Sequence, residues 1–128
     1  MARNHVPKIL VVDDEKEIRE ITHAFLVLNG YEAKTVENGK EALDELLTNY
    51  YDIVITDLHM PQMGGMELIE KISQTKLDTV TIVLTGYGVK ESDFPREPFA
   101  HLRKPFSHNQ LIHVVQEGLK NQKDKSKS

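Results

Sequence analysis

The chain has no cysteine among its 128 residues, which excludes disulfides and thiolate chemistry and leaves reactivity to oxygen and nitrogen side chains. It also lacks any apolar run near the roughly 20 residues that span a bilayer, so no membrane association is expected. The opening Met1-Ala2-Arg3-Asn4-His5-Val6-Pro7 lacks the apolar stretch and small-residue cleavage pattern of a secretory signal, and a cytoplasmic location is the expectation. A basic excess is missing as well. The net charge is −4, and because four lysines against Asp124 give the segment from Lys120 to Ser128 a charge of +3, the rest carries −7. A nucleic-acid-binding domain needs a basic face to neutralise phosphates, so no nucleic-acid partner is expected.

What is present suits one globular domain: 39% hydrophobic and 28% charged residues in a chain long enough for one core and short for two. The final stretch, 121–128, has no apolar residue and is expected to be a disordered basic tail. Three runs are apolar on both faces, Ile9-Leu10-Val11-Val12, Ile53-Val54-Ile55-Thr56 and Val80-Thr81-Ile82-Val83-Leu84. Such continuity marks strands covered by helices on both sides, as in a parallel sheet. Glu32 to Val36 is a weaker strand, and the short alternating Ala100-His101-Leu102-Arg103 suits a sheet edge.

Between these runs the apolar period becomes helical. Ile18, Ile21, Phe25 and Leu28 follow an Asp14-x-x-Glu17 start and should close at Gly30; Ala42, Leu43, Leu46 and Leu47 follow Asn38 with Glu41. Gly64-Gly65 opens a third helix carrying Met66, Leu68, Ile69 and Ile72 towards the core. Ser107 with Gln110 opens the last, which presents Leu111, Ile112, Val115 and Leu119. The alternation predicts an α/β domain of right-handed βαβ units. One crossover is irregular: with Gly86, Gly88, Pro95 and Pro98 in it, any helix there should be confined to Val89 to Phe94.

Parallel strands bring their C-terminal ends to one edge, where open α/β sheets bind ligands. Those ends carry Asp13 and Asp14, Asp57, Thr85 and Lys104. Three carboxylates in one cleft repel by about 4 kcal/mol per pair at 4 Å and an effective dielectric near 20. Lys104 and one divalent cation would balance them. An oxygen-only donor set suits Mg²⁺, and an anionic substrate could then approach an aspartate nucleophile, which is the logic of phosphoryl transfer to a carboxylate. Glu15, Glu17 and Glu20 read as a solvated helix face; Met60, Met63 and Met66 as packing; His5, His23, His108 and His113 as surface or capping residues whose spacing suggests no zinc site.

Taken in order, Val11-Val12-Asp13-Asp14-Glu15, Thr56-Asp57-Leu58-His59-Met60-Pro61-Gln62-Met63-Gly64-Gly65, Leu84-Thr85-Gly86 and Lys104-Pro105-Phe106 resemble the receiver domains of bacterial two-component response regulators, in particular single-domain, chemotaxis-regulator-like members. The similarity covers residues 7–120. It implies a doubly wound (βα)5 sandwich with a five-stranded parallel sheet of order 2-1-3-4-5, its fourth helix here truncated or loop-like. It implies Asp57 as phosphoacceptor; Asp13, Asp14, Asp57 and the His59 backbone carbonyl as Mg²⁺ ligands; Thr85 and Lys104 as partners of the phosphoryl group; and a cis Lys104-Pro105 peptide. His59 and Tyr87 match positions that tune hydrolysis of the acyl phosphate.

Thr85 and His101 match the switch pair, although the family often has tyrosine or phenylalanine where this chain has His101, which brings a proton-dependent charge to that position. The implied function is a phosphorylation switch and not a turnover enzyme. Its partners would be a sensor histidine kinase or histidine phosphotransfer protein and a downstream protein target, and the chain would be a monomer or weak dimer. With no room for an output domain within 128 residues, the signal is expected to leave by protein contact unless the chain is an excised piece of a longer regulator. The short interval from Thr85 to Lys104 should alter the docking face that the fourth helix usually helps to form. A haloacid-dehalogenase-type phosphatase also pairs an aspartate nucleophile with Mg²⁺, but would want an aspartate where this chain has His59, and a cap domain. A degenerate, binding-only receiver would not need the complete acidic pair, acceptor, threonine and lysine.

Overall fold

A computed structural model describes residues 5–58, 60, 63–75, 78–86 and 99–126, with side chains to Gln122. Its elements are β1 (Lys8–Val12), α1 (Lys16–Leu28), β2 (Glu32–Val36), α2 (Gly39–Thr48), β3 (Ile53–Asp57), α3 (Gly65–Thr75), β4 (Val80–Thr85), β5 (Ala100–Arg103) and α4 (His108–Ser126). All strand pairings are parallel, and the sheet order is β2-β1-β3-β4-β5. The truncated helix expected at Val89 to Phe94, and with it the altered docking face, lie outside the described residues.

The double-sided apolar runs divide by alternation. Ile9, Val11, Ile53, Ile55, Ile82 and Leu84 face Leu26 of α1 and Leu111, Ile112 and Val115 of α4. Leu10, Val12 and Val54 face Ala42 and Leu46 of α2 and Leu68 and Ile72 of α3. A strand repeats every two residues, so a central strand with helices on both faces leaves no position for a charged side chain until it reaches its end.

The helix termini follow their local chemistry. At the end of α1, Tyr31 N–H donates to Leu26 O (3.1 Å) and Gly30 N–H to Val27 O (3.0 Å), with Gly30 at φ +86°, a left-handed closure that glycine tolerates best. Asn38 Oδ1 accepts from Glu41 N–H (2.9 Å) at the start of α2. Ser107 Oγ accepts from Gln110 N–H (3.1 Å) while Gln110 Oε1 accepts from Ser107 N–H (2.8 Å), a reciprocal capping box.

Several expectations need correction. The N-cap of α1 is Glu15, not Asp14, and its side chain makes no capping bond. The buried stripe of α1 runs through Thr22 and Leu26, leaving Ile21 46% and Leu28 78% exposed; a shift of one residue rotates a helical stripe by about 100°. Leu47 and Met66 are exposed for the same reason, lying about 100° and 200° around their helices from the buried Leu46 and Leu68. Finally, α4 continues to Ser126, so the described part of the tail expected to be disordered is helical. Lysine and glutamine favour helix, and Gln122 Nε2 donates to Tyr50 Oη (2.7 Å), Asp78 O (3.1 Å) and Asp52 O (3.4 Å).

These contacts belong to a polar knot at the N-terminal rim of the sheet. Asp52, 3% exposed, accepts from Lys8 N–H (2.8 Å) and Tyr50 O–H (3.1 Å) and lies 3.1 Å from His5 Nε2. The opposite rim is free to carry chemistry.

Candidate functional site

Register brings the sequence-predicted residues together. Val12 pairs with Thr56, Asp57 with Leu84, and Thr85 with Arg103, so the residues at and just beyond these positions share the C-terminal rim. Three backbone bonds extend that order past the strands: Asp13 N–H to Val36 O (3.3 Å), Leu58 N–H to Leu84 O (3.0 Å) and Lys104 N–H to Thr85 O (2.8 Å). The start of α3 lies against the residue after β3, with Gly65 N–H donating to Leu58 O (2.9 Å). A Cβ on Gly65 would meet the Asp57 carbonyl oxygen and lie 2.9 Å from Leu58 Cα, so only glycine fits beneath the third strand's end.

Carboxylate oxygens of Asp13, Asp14, Glu15 and Asp57 all lie within 4.8 Å of one another. Lys104 Nζ sits among them, 2.8 Å from Asp13 Oδ2, 3.2 Å from Glu15 Oε1 and 3.5 Å from Asp57 Oδ1. The Lys104-Pro105 peptide is cis, as the resemblance implied. Asp13 is fully buried; its Oδ1 accepts from Glu15 N–H (2.9 Å), while Oδ2 has the ammonium nearby but no well-aligned hydrogen bond among the described residues. Thr85 is also fully buried, and its hydroxyl has no hydrogen-bond partner among the described residues. His101 is half-buried on β5, paired in register with Val83. His59 and Tyr87 lie outside the described residues.

Electrostatics follow from this crowding. Burial first, and the neighbouring Asp13 second, push the Asp57 carboxyl up to about 6, against the lowering pull of Lys104. Burial likewise raises Asp13, opposed by Lys104 and the Glu15 N–H, while the surrounding carboxylates raise Lys104 in spite of its desolvation. Among the described residues, four clustered acids face the Lys104 ammonium, which leaves the cluster with a deficit of positive charge. An all-oxygen donor set, including a buried oxygen lacking a good hydrogen bond, fits a hard dication such as Mg²⁺.

Two contributors escaped the sequence reading. Glu15 is part of the cluster and not merely a solvated helix residue; the run Asp13-Asp14-Glu15 was the available signal. Arg19, one turn into α1, donates from Nη1 to Asp13 O (2.8 Å) and reaches Glu37 (3.5 Å), tying the acidic loop to the end of β2. Nothing in its spacing marked it out.

The comparisons with known proteins agree with this geometry. Residues 9–116 match the family model described as the response regulator receiver domain. Among curated proteins, Response regulator SaeR of Staphylococcus aureus is 32% identical over 107 residues, covering 81% of this chain and 46% of SaeR. The chain thus spans about half the length of the curated relatives it matches. Among solved structures, the response regulator protein TrrA of Thermotoga maritima in complex with Mg²⁺-BeF is 38% identical, with a TM-score of 0.83 over 89% of this chain and 100% of that one. A CheY-like response regulator receiver domain protein of Methanospirillum hungatei is 27% identical, with a TM-score of 0.87 over 94% of this chain and 99% of that one. With the sheet order, the rim of acids and the family match in agreement, the chain belongs to the response regulator receiver domain family of two-component systems.

Proposed function

We infer that Asp57 accepts a phosphoryl group and that the domain works as a phosphorylation switch. The observation that carries this reading is the convergence of Asp13, Asp14, Asp57 and Lys104 at one rim, with Lys104 Nζ 2.8 Å from Asp13 and 3.5 Å from Asp57. Asp13, Asp14 and Asp57, joined by the His59 backbone carbonyl, would hold Mg²⁺. When bound, that ion supplies positive charge beside the acceptor.

In the transfer, an Asp57 oxygen bonds to phosphorus as the bond to the donor breaks, and the donor group leaves with the electron pair. The Lys104 ammonium offsets charge on the transferred oxygens, and the Thr85 hydroxyl, which has no hydrogen-bond partner among the described residues, donates to one of them. Engaging Thr85 draws β4 towards the acceptor, and His101 on the neighbouring strand follows, which changes the surface presented to a partner. His59 and Tyr87, two residues beyond the acceptor and the threonine in sequence, tune the lifetime of the acyl phosphate.

The donor is a phosphohistidine on a sensor kinase or phosphotransfer protein, and the output is contact with a downstream protein by a monomer or weak dimer, with no nucleic-acid contact of its own. The acidic body supports that last point, since net charge without the segment from Lys120 is −7. None of the described helices is long and apolar enough to cross a membrane, in keeping with cytoplasmic work.

Acetyl phosphate with Mg²⁺ tests the reading. One phosphate should be gained, mapped to Asp57 and lost in Asp57→Asn. No mass gain would sink it, and turnover of many phosphate esters would favour a phosphatase instead.

A further inference from the structure

Lys104 is shared by three carboxylates, and one of them has no part in the transfer described above. Asp13 and Asp57 are buried residues of the ion and acceptor set; Glu15 has a side chain that is 62% exposed and yet lies 3.2 Å from the ammonium, while the Lys104 side chain is only 12% exposed. Glu15 is also the N-cap of α1, where a side chain ordinarily turns back to the helix N–H groups, but it makes no capping bond. Its backbone is fixed by the Asp13 Oδ1 bond to Glu15 N–H at 2.9 Å, which points the residue at the site. The ion pair, together with the backbone bond that fixes its residue, aims this carboxylate at Lys104, and the cap is left unused as a consequence.

We propose that Glu15 is a positioning residue that restrains phosphorylation: it holds Lys104 at the outer side of the rim and strengthens the grip of the acidic cluster on a divalent cation. The proposal rests on the acceptor role of Asp57. Charge counting gives it direction. Asp13, Asp14 and Asp57 are balanced by Lys104 and a dication, so Glu15 leaves the loaded site at −1. That extra charge attracts the cation and opposes an anionic phosphodonor. With Asp13 held by a cation, Glu15 would remain as a competitor with the incoming phosphoryl oxygens for the lysine.

Glu15→Gln removes the charge while keeping the size of an exposed residue. A unit charge about 5 Å from a dication, at near-aqueous dielectric and physiological salt, changes affinity on the order of three- to ten-fold. Calorimetric titration with Mg²⁺ should therefore give a weaker Kd by that factor. At saturating Mg²⁺, the rate of Asp57 phosphorylation by acetyl phosphate should rise several-fold. In that step the Asp57 oxygen bonds to phosphorus as the bond to the acetate oxygen breaks and acetate departs, so no proton is needed. Glu15→Asp keeps the charge but shortens the reach: its Mg²⁺ affinity should stay near wild type while its rate rises.

Opposite movement of affinity and rate is something general damage to the fold does not produce. An unchanged Mg²⁺ affinity in Glu15→Gln, or a rate that does not rise, overturns the proposal. If the wild-type protein itself gains no phosphate, the acceptor assignment has failed; if it is phosphorylated and the variants do not differ from it, the role of Glu15 has failed.

Discussion

Removing the charge of the proposed acceptor should stabilise the metal-free protein. Asp57 is 7% exposed and sits beside Asp13, and its carboxyl is raised from an ordinary 3.8 to about 6, with burial the larger cause and Asp13 the next. A carboxyl raised in the folded state binds its proton more tightly there than in the unfolded chain. Its contribution to stability is therefore complete below pH 3.8 and is lost as pH rises through about 6.

At 1.36 kcal/mol per pKa unit, the ionised group destabilises the fold at neutral pH by up to ~3 kcal/mol, and relaxation around the rim makes ~2 kcal/mol the working figure. With an unfolding entropy of about 2.1 cal/mol/K per residue, a chain of this length gains roughly 4 °C per kcal/mol, so Asp57→Asn should melt about 7 °C above wild type. The assay is thermal unfolding in EDTA at pH 7.5 and again at pH 4, where wild-type Asp57 is largely protonated in the fold and the gap should close. Adding Mg²⁺ at pH 7.5 should raise the wild-type midpoint more than that of the variant, by mass action on the folded state. A variant that melts at or below wild type at pH 7.5, or a gap that persists unchanged at pH 4, would refute the claim that buried charge is stored at this rim.

Other parts of the molecule make separate claims. Asp52→Ala should cost ~2–4 kcal/mol in urea unfolding, because it leaves the Lys8 N–H and the Tyr50 hydroxyl without their acceptor at the knot below the sheet. Gln122→Ala should cost ~1 kcal/mol and speed amide exchange from Leu119 to Ser126, since that side chain ties the extended end of α4 to the turns before β3 and β4. Gly65→Ala should lower both stability and the yield of phosphorylated protein, as its methyl group would displace the Asp57 carbonyl; equal yield per folded molecule would show that the acceptor does not depend on this turn.

The sheet was legible because its signal is redundant. Each central strand pairs two neighbours and packs two helix layers, so all of its residues from Ile53 to Ile55, for example, had to be apolar, and no other arrangement of such runs buries both faces. Caps were legible where side-chain chemistry decides them, as at Asn38 and Ser107. Helix rotation was less so. In α1 the apolar residues Ile18, Ile21, Phe25 and Leu28 form one plausible stripe, of which Ile18 and Phe25 pack against the core while Ile21 and Leu28 are exposed; Thr22 and Leu26 form its fully buried line. A buried threonine is invisible to a hydrophobic pattern. The described residues 121–126 were misread for the opposite reason: composition counts apolar residues, whereas Gln122 holds the start of this stretch through three acceptors brought near by other parts of the chain.

At the rim, the same logic separates what sequence reveals from what only packing supplies. Asp13, Asp57, Thr85 and Lys104 could be placed together because a parallel sheet forces strand ends to one side, and a polar residue ending an apolar strand is conspicuous. Glu15 and Arg19 lie in and before a helix whose exposed face is also charged, so their type carries no information about direction. What sets their direction is the Asp13 carboxylate, which fixes the Glu15 backbone, and the Asp13 carbonyl, which receives Arg19. Asp13 thus orients two neighbours through two different oxygens while keeping a third, Oδ2, for Lys104. Any change at Asp13 must therefore displace the lysine and its second carboxylate partner together, so its effect should exceed that of altering Asp14, which is exposed.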